Sequence, residues 1–305
     1  MAAYLFVHFV GTEFDESNEQ IYFSVSKDGS RWTTLNGGAP ILSSELGEKG
    51  VRDPHIIRSP KGDYFYIVAT DLSIYHRRND PDYWKNCQTK GSRSIVIWES
   101  SDLVHWSDTR MAEVAAPDAG CAWAPETIYD DEKDMYMIFW ASRVGSDNFS
   151  KQRIYRCYTK DFVSFTPAEV YIDNEKDSID TTFIKEGGVY YRFTKNESKS
   201  SVVMEQCTSL NGTFTPVAEY KINGVAGDTV TGYEGPTAYR MNGEDRWYLL
   251  LDHYSKKEGY KPFITEDIAK GEFVAAPDFV FDGTYRHGTV MPITDEEYER
   301  LVDAF

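Results

Sequence analysis

Val51-Arg52-Asp53-Pro54-His55-Ile56-Ile57, a Lys61-Gly62-Asp63 turn, then Tyr64-Phe65-Tyr66-Ile67-Val68-Ala69-Thr70 set the pattern for the whole chain. A polar residue opens a short apolar strand, the chain turns, and an aromatic-rich strand returns. The order recurs at Glu126 in Trp123-Ala124-Pro125-Glu126-Thr127-Ile128 and at Asp180 in Ile179-Asp180-Thr181-Thr182-Phe183-Ile184. It recurs again at Glu234 in Tyr233-Glu234-Gly235-Pro236 and at His287 in Arg286-His287-Gly288-Thr289-Val290. The intervals are 73, 54, 54 and 53 residues. A repeat of that length made only of strands is the signature of a propeller blade. Five copies predict an all-β, five-bladed β-propeller, with the five polar residues at equivalent places on the innermost strands, facing one channel.

The second strands (64–70, 136–142, 190–195 and 247–252) are nearly continuously apolar or aromatic. That suits strands covered on both faces by neighbouring blades. Third strands follow at 95–99, 154–158, 202–205 and 261–264, each leading to a turn and an aromatic residue such as Trp106 or Phe165. A further third strand at 21–26 has no inner strand before it, and the inner strand at His287 has no partners after it. The halves complement each other, so strand 4–9 is expected to pair with the C-terminal inner strand and close the ring. Thr294 and Glu297 then form a capping-box signature, predicting a helix over about 295–303. Residues 1–305 read as one propeller domain. The longer first interval holds an insertion, 71–93, with His, Arg, Tyr and Trp84, expected to rim the channel mouth.

Hydrophobic residues make up 41% of the chain and aromatics 15%, enough for a large packed core. A formal charge of −17 argues against nucleic acid and anionic membranes, which need clustered positive charge. No apolar run approaches the roughly 18 residues of a membrane span. The N-terminal apolar stretch lacks a basic flank and reads as a strand rather than a signal peptide, so a cytoplasmic location is expected. Cys87, Cys121, Cys157 and Cys207 are scattered, and are expected as buried free thiols rather than disulfides or a zinc site.

The motifs resemble those of glycoside hydrolase family 43, five-bladed propeller enzymes that trim arabinose and xylose from plant polysaccharides. The likeness is carried by Arg52-Asp53-Pro54, Trp123-Ala124-Pro125-Glu126, Ile179-Asp180, Glu234-Gly235-Pro236 and Arg286-His287-Gly288, and covers essentially the whole chain. The resemblance implies that Asp53 is the general base, Glu234 the general acid, and Asp180 the residue that orients and tunes the acid. Trp123 would help form the sugar pocket. His287 matches a channel histidine that in many members holds a structural calcium ion, often through water; no cofactor is implied for the chemistry. Two departures stand out. Asp180 is followed by Thr181-Thr182 where the family commonly has Pro-Ser, and Glu126 is a methylene longer than the usual Asp, which bears on pocket depth and sugar preference.

Hydrolysis with inversion needs a protonated carboxyl and an ionised one on opposite faces of the sugar, about 6.5–9.5 Å apart. Asp53 and Glu234 lie three blades apart one way round and two the other, which suits that separation. A glutamate ordinarily titrates near about 4.3, so holding its proton calls for a negative neighbour such as Asp180. Strand alternation points Arg52 away from Asp53. Trp123, Glu126, Trp140, Arg192, Tyr233 and His253, with Lys195, are candidates to bind a neutral sugar. Each motif alone has a plain reading; Asp before Pro, for example, is a common turn starter.

The expected function is an inverting, exo-acting α-L-arabinofuranosidase acting on short, neutral, arabinose-containing plant oligosaccharides. The same carboxylates would serve a β-xylosidase or a galactofuranosidase. A carbohydrate-binding propeller without catalysis is the alternative from another class, disfavoured by three carboxylates in aligned motifs. A phosphorylase would need a basic clamp, and no such cluster is evident at the inner-strand starts.

Overall fold

The computed structural model describes residues 3–223 and 231–305, and their strands form five sheets. The inner strands are Val51–Arg58, Trp123–Asp130, Ser178–Glu186, Glu234–Arg240 and Arg286–Ile293. Each packs against the inner strand on either side, the fifth returning to the first. In blades one to four the chain runs outward through antiparallel hairpins, from the inner strand to Phe65–Asp71, Met135–Ser142, Val189–Asn196 or Trp247–Asp252 and beyond. The fifth blade is composite: Arg286–Ile293 pairs with Ala3–Phe9, which pairs with Tyr22–Ser26. Phe6 lies opposite Val290 and Leu5 opposite Met291.

Five apolar clusters fill the five gaps between blades. Alternate residues of one second strand therefore enter different cores: Ile67 packs with Leu5 and Trp98, whereas Val68 packs with Ile97, Ile138 and Trp140. Such strands show no apolar–polar alternation because neither face meets water.

The turns after the third strands repeat one piece of chemistry. In Ser26-Lys27-Asp28, Ser100-Ser101-Asp102, Thr159-Lys160-Asp161 and Thr265-Glu266-Asp267, the aspartate accepts two backbone N–H bonds from residues two and three further on. Short acceptors that fold back on their own backbone are favoured turn formers for this reason. The closing helix, Asp295–Ala304, starts at a full capping box between Thr294 and Glu297. Arg58 grips the Glu297 carboxylate through two bonds, of 2.6 and 2.8 Å, and so ties the helix to the first inner strand.

All four cysteines are free; Cys87, Cys121 and Cys157 are buried and Cys207 is half-buried. Among the described residues no helix is long and apolar enough to cross a membrane.

The register departs from the expected equivalence of the five polar residues. A bulge interrupts every inner strand near its start, between Arg52 and His55, Trp123 and Glu126, Ile179 and Thr181, and Glu234 and Thr237. In the fifth blade it falls between Arg286 and Thr289, opposite Val7 to Phe9. Aligned on the bulges, Asp53, Asp180 and His287 share a position with Ala124 and Gly235. Glu234 comes one residue earlier, level with Arg52, Trp123, Ile179 and Arg286, and Glu126 comes two residues later, level with His55. The even spacing of the motifs hides these offsets, because a bulge shifts residues by one or two places while the blade length stays constant.

Candidate active site

The bulges aim the site. Asp53 (φ 51°), Ala124 (φ 46°), Asp180 (φ 48°) and Gly235 (φ 53°) adopt the left-handed backbone at the same place in four blades. The conformation costs non-glycine residues energy and persists where surrounding structure enforces it. Here it turns the Asp53 and Asp180 side chains into one cavity of about 720 Å³, which Glu234, His287 and Trp123 also line. Gly235 must be glycine, since a Cβ there would lie 2.7 Å from the His287 ring. Tyr260 stitches the fourth and fifth inner strands together: its hydroxyl donates to the Gly235 carbonyl (2.7 Å) and accepts from the Gly288 N–H (2.8 Å).

Asp53 is built to be ionised. The Thr70 hydroxyl accepts from the Ala124 N–H at 2.8 Å, which leaves its own proton to donate to Asp53 Oδ2 at 2.9 Å. His287 Nδ1 lies 3.4 Å from Asp53 Oδ1. Burial pushes the Asp53 carboxyl up, but His287, Arg52 and Thr70 together outweigh it and hold the group below its usual range. For His287, burial favours the neutral ring, and the carboxylates of Asp53, Asp180 and Glu126 overcome it, raising the imidazole to about 9.

Asp180 differs. Burial, aided by the negative charge of Glu234, pushes its carboxyl up to about 7 against the pull of His287 and Lys195. Its Oδ2 accepts the backbone N–H of Gly235 at 3.0 Å, so Asp180 anchors the residue beside Glu234. Glu234 itself lies between two cations. Lys195 Nζ donates to Oε2 at 2.8 Å, and an Arg286 guanidinium nitrogen is 3.4 Å from Oε1. Lys195 also contacts Glu197 at 3.0 Å, and Arg286 donates to the fully buried Asp252 at 2.7 Å. Four carboxyl groups thus surround two cations, an excess of negative charge that favours keeping a proton in the cluster.

Arg52 does not point away from the cavity, because the bulge breaks simple alternation. It borders the mouth and is held by the buried Glu19 at 2.7 Å. Arg52 and Arg286 are therefore basic residues at inner-strand starts, where no cluster was expected. Both are committed to carboxylates and form no free phosphate clamp.

Several expected sugar contacts lie elsewhere. Trp140 is buried between the first two blades, and Arg192 is bound to Glu205 and packed on Phe214 at the outer side of the third blade. Tyr233 and His253 stack on one another at 4.1 Å, outside the cavity lining. Trp140 and Arg192 are second-strand residues, whose side chains mostly enter the gaps between blades. Glu126 is sealed beneath the cavity, 3.6 Å from His55, and burial raises it to about 8. His55 is pushed down to about 3 by burial and by the charge on His287. Trp123 does line the cavity.

Asp252 and Glu197 escaped the sequence reading, and Arg286 was seen without a role. One signal was available. Thr70, Lys195 and Asp252 are polar residues at the ends of apolar second strands, and each stands opposite the residue just before a bulge.

The calcium ion that the resemblance implies would have to be held by the side chains around His287. Calcium takes six to eight oxygen ligands. His287 instead faces Asp53 as a proton donor, and among the described residues no three His, Cys, Asp or Glu groups are grouped to hold a metal. These side chains do not fit a direct calcium site.

A family model described as a probable glycosyl hydrolase domain, related to glycoside hydrolase family 43, matches residues 1–299. An α-L-arabinofuranosidase of Bifidobacterium longum subsp. longum is 29% identical, over 76% of this chain and 25% of its own. The chain thus spans about a quarter of that relative's length. Among solved structures, a family 43 β-1,3-galactosidase with galactodeoxynojirimycin aligns with a TM-score of 0.64 at 12% identity, over 92% of both chains. The catalytic domain of a Coprinopsis cinerea family 62 α-L-arabinofuranosidase aligns with a TM-score of 0.54 at 13% identity, over 81% of this chain and 75% of its own. At such identities the likeness shows the propeller fold alone. The match along nearly the full length is what decides membership: the chain belongs to the glycosyl hydrolase domains related to glycoside hydrolase family 43.

Proposed function

We propose that this glycosidase is exo-acting and inverting, and that it releases terminal α-L-arabinofuranose from short neutral oligosaccharides. One observation carries the reading: Asp53 and Glu234, on non-adjacent blades, face one cavity large enough for a sugar. Asp53 is the general base; its hydrogen bonds and cationic neighbours keep it ionised and able to take a proton from water. Glu234 is the general acid that protonates the leaving oxygen, and Lys195 and Arg286 stabilise the carboxylate which that transfer leaves behind. Asp180 holds Glu234 in place through Gly235 and opposes the two cations electrostatically. The Bifidobacterium longum relative supports arabinofuranose as the sugar.

A panel of aryl glycosides tests sugar and mechanism together, with product anomers followed by proton NMR. Preferential hydrolysis of the α-L-arabinofuranoside, with inverted sugar appearing first, is expected. Faster hydrolysis of a β-xyloside, β-galactoside or galactofuranoside would overturn the sugar assignment, and first release of the retained anomer would overturn the mechanism.

A further inference from the structure

The rim of the cavity carries a surface that these roles leave unused. Phe14 is 84% exposed and Trp84 43% exposed, yet both border the same cavity as the carboxylates. Large aromatic rings left in water beside a polar pocket mark a binding surface when the fold holds them there. Trp84 is held. It belongs to the helix Tyr83–Thr89, whose Cys87 is buried with Leu72 and Ile74. Tyr83 and Trp123 pack against that small cluster. Beyond the helix, the Gly91 N–H donates to the Gly120 carbonyl at 2.7 Å, pinning the insertion to the segment that leads into the second inner strand. Trp84 meets Trp123 edge-on, with centroids 6.4 Å apart and planes at 79°. One indole belongs to the cavity wall and the other to its mouth.

We propose that Trp84, assisted by Phe14, forms the subsite for the sugar on the leaving-group side of the cleaved bond. The ring it takes is neutral. Glu13 and Glu197 also line the mouth and would repel a uronic acid, while three of the four lysines and arginines in the lining are engaged, Arg52 by Glu19, Lys195 by Glu234 and Arg286 by Asp252, Lys257 being the fourth. Stacking of a sugar's C–H face on an indole adds apolar burial without requiring charge. The insertion thereby works as a fixed platform, and the exposure of Trp84 is the cost of keeping it open to substrate. The proposal rests on the glycosidase reading and adds to it the nature of the second ring.

The test compares two substrates of whichever terminal sugar the panel identifies: a neutral oligosaccharide and the glycosyl fluoride. Fluoride leaves without occupying the outer subsite. Trp84→Ala should lower kcat/KM on the oligosaccharide about tenfold, mostly through KM, with a much smaller loss on the fluoride. Trp84→Phe should recover most of the difference, and Phe14→Ala should show a weaker form of it. Equal losses on both substrates would make Trp84 a structural support only and overturn the subsite, as would no loss on either. A wild-type protein that hydrolyses neither substrate would overturn the glycosidase reading itself, a result distinct from the other two.

Discussion

Asp53 and Asp180 are both aspartates at the same bulge position, yet their surroundings drive them in opposite directions. Asp53 receives a hydroxyl proton from Thr70 and faces His287, whereas Asp180 is buried and shares its space with Glu234. That contrast favours the ionised form of Asp53 and the protonated form of Asp180, the kind of separation that the proposed acid–base roles need. It also yields a signed prediction. Lys195→Met removes a cation that pulls the Asp180 carboxyl down, makes ionisation of the carboxyl cluster costlier, and should move the alkaline limb of the kcat/KM profile up by on the order of one pH unit. Asp180→Asn removes a negative neighbour and should move the same limb down, while Lys195→Arg should leave it near the wild-type position. Movement of that limb in the same direction in Lys195→Met and Asp180→Asn would contradict the opposed charges described around Glu234.

Asp53, Asp180 and Glu234, the three residues expected to be catalytic, line one cavity, and each was visible in the sequence as part of a short recurring motif. What the motifs did not reveal was the side-chain direction of the residues around them. Trp140 and Arg192 lie on second strands, one layer out from the axis, and enter the gaps between blades. Glu126 is displaced below the cavity by its two-residue offset from the bulge. Lys195 and Asp252 reach the site because each stands opposite the residue preceding a bulge, a relation that exists only once the strands are paired.

At the scale of elements, boundaries followed local chemistry closely. The second strands were expected at 136–142 and 247–252 and are observed at Met135–Ser142 and Trp247–Asp252. Aromatic and β-branched runs with turn residues in front leave little freedom. The bulges were not legible, since no residue type demands one: the left-handed position is Asp, Ala, Asp and Gly in four blades. The C-terminal helix shows how far a local signal reaches. Thr294 caps it and Glu297 closes the capping box while also receiving Arg58 from the first blade. Burial alone would raise the Glu297 carboxyl, but Arg58 and the Thr294 backbone hold it below its usual range. Thr294→Ala should therefore cost about 1 kcal/mol and lower the melting temperature by about 2 °C. Calorimetry checks this, with turnover expected to be unchanged because the helix lies outside the cavity lining. A loss of activity at unchanged melting temperature would contradict that separation.

The molecule as a whole solves a problem that no local segment could. Two carboxyl groups proposed to face each other across a sugar cannot come from neighbours on one strand, and a ring of five blades brings positions 53 and 234 to one cavity. The fifth blade, made from both ends of the chain, closes that ring. The molecular claim is that Asp53 and Glu234 act as a pair with unlike tasks, and leaving-group dependence separates those tasks. A poor leaving group needs the acid's proton, a dinitrophenolate does not, and every substrate needs the base. The deciding measurement is kcat/KM for Asp53→Asn and Glu234→Gln on an oligosaccharide and on a dinitrophenyl glycoside, beside their melting temperatures. Glu234→Gln should lose on the order of a thousandfold on the first and far less on the second, and Asp53→Asn should lose comparably on both, with both proteins folded. Folded variants that hydrolyse the oligosaccharide at the wild-type rate would contradict the account.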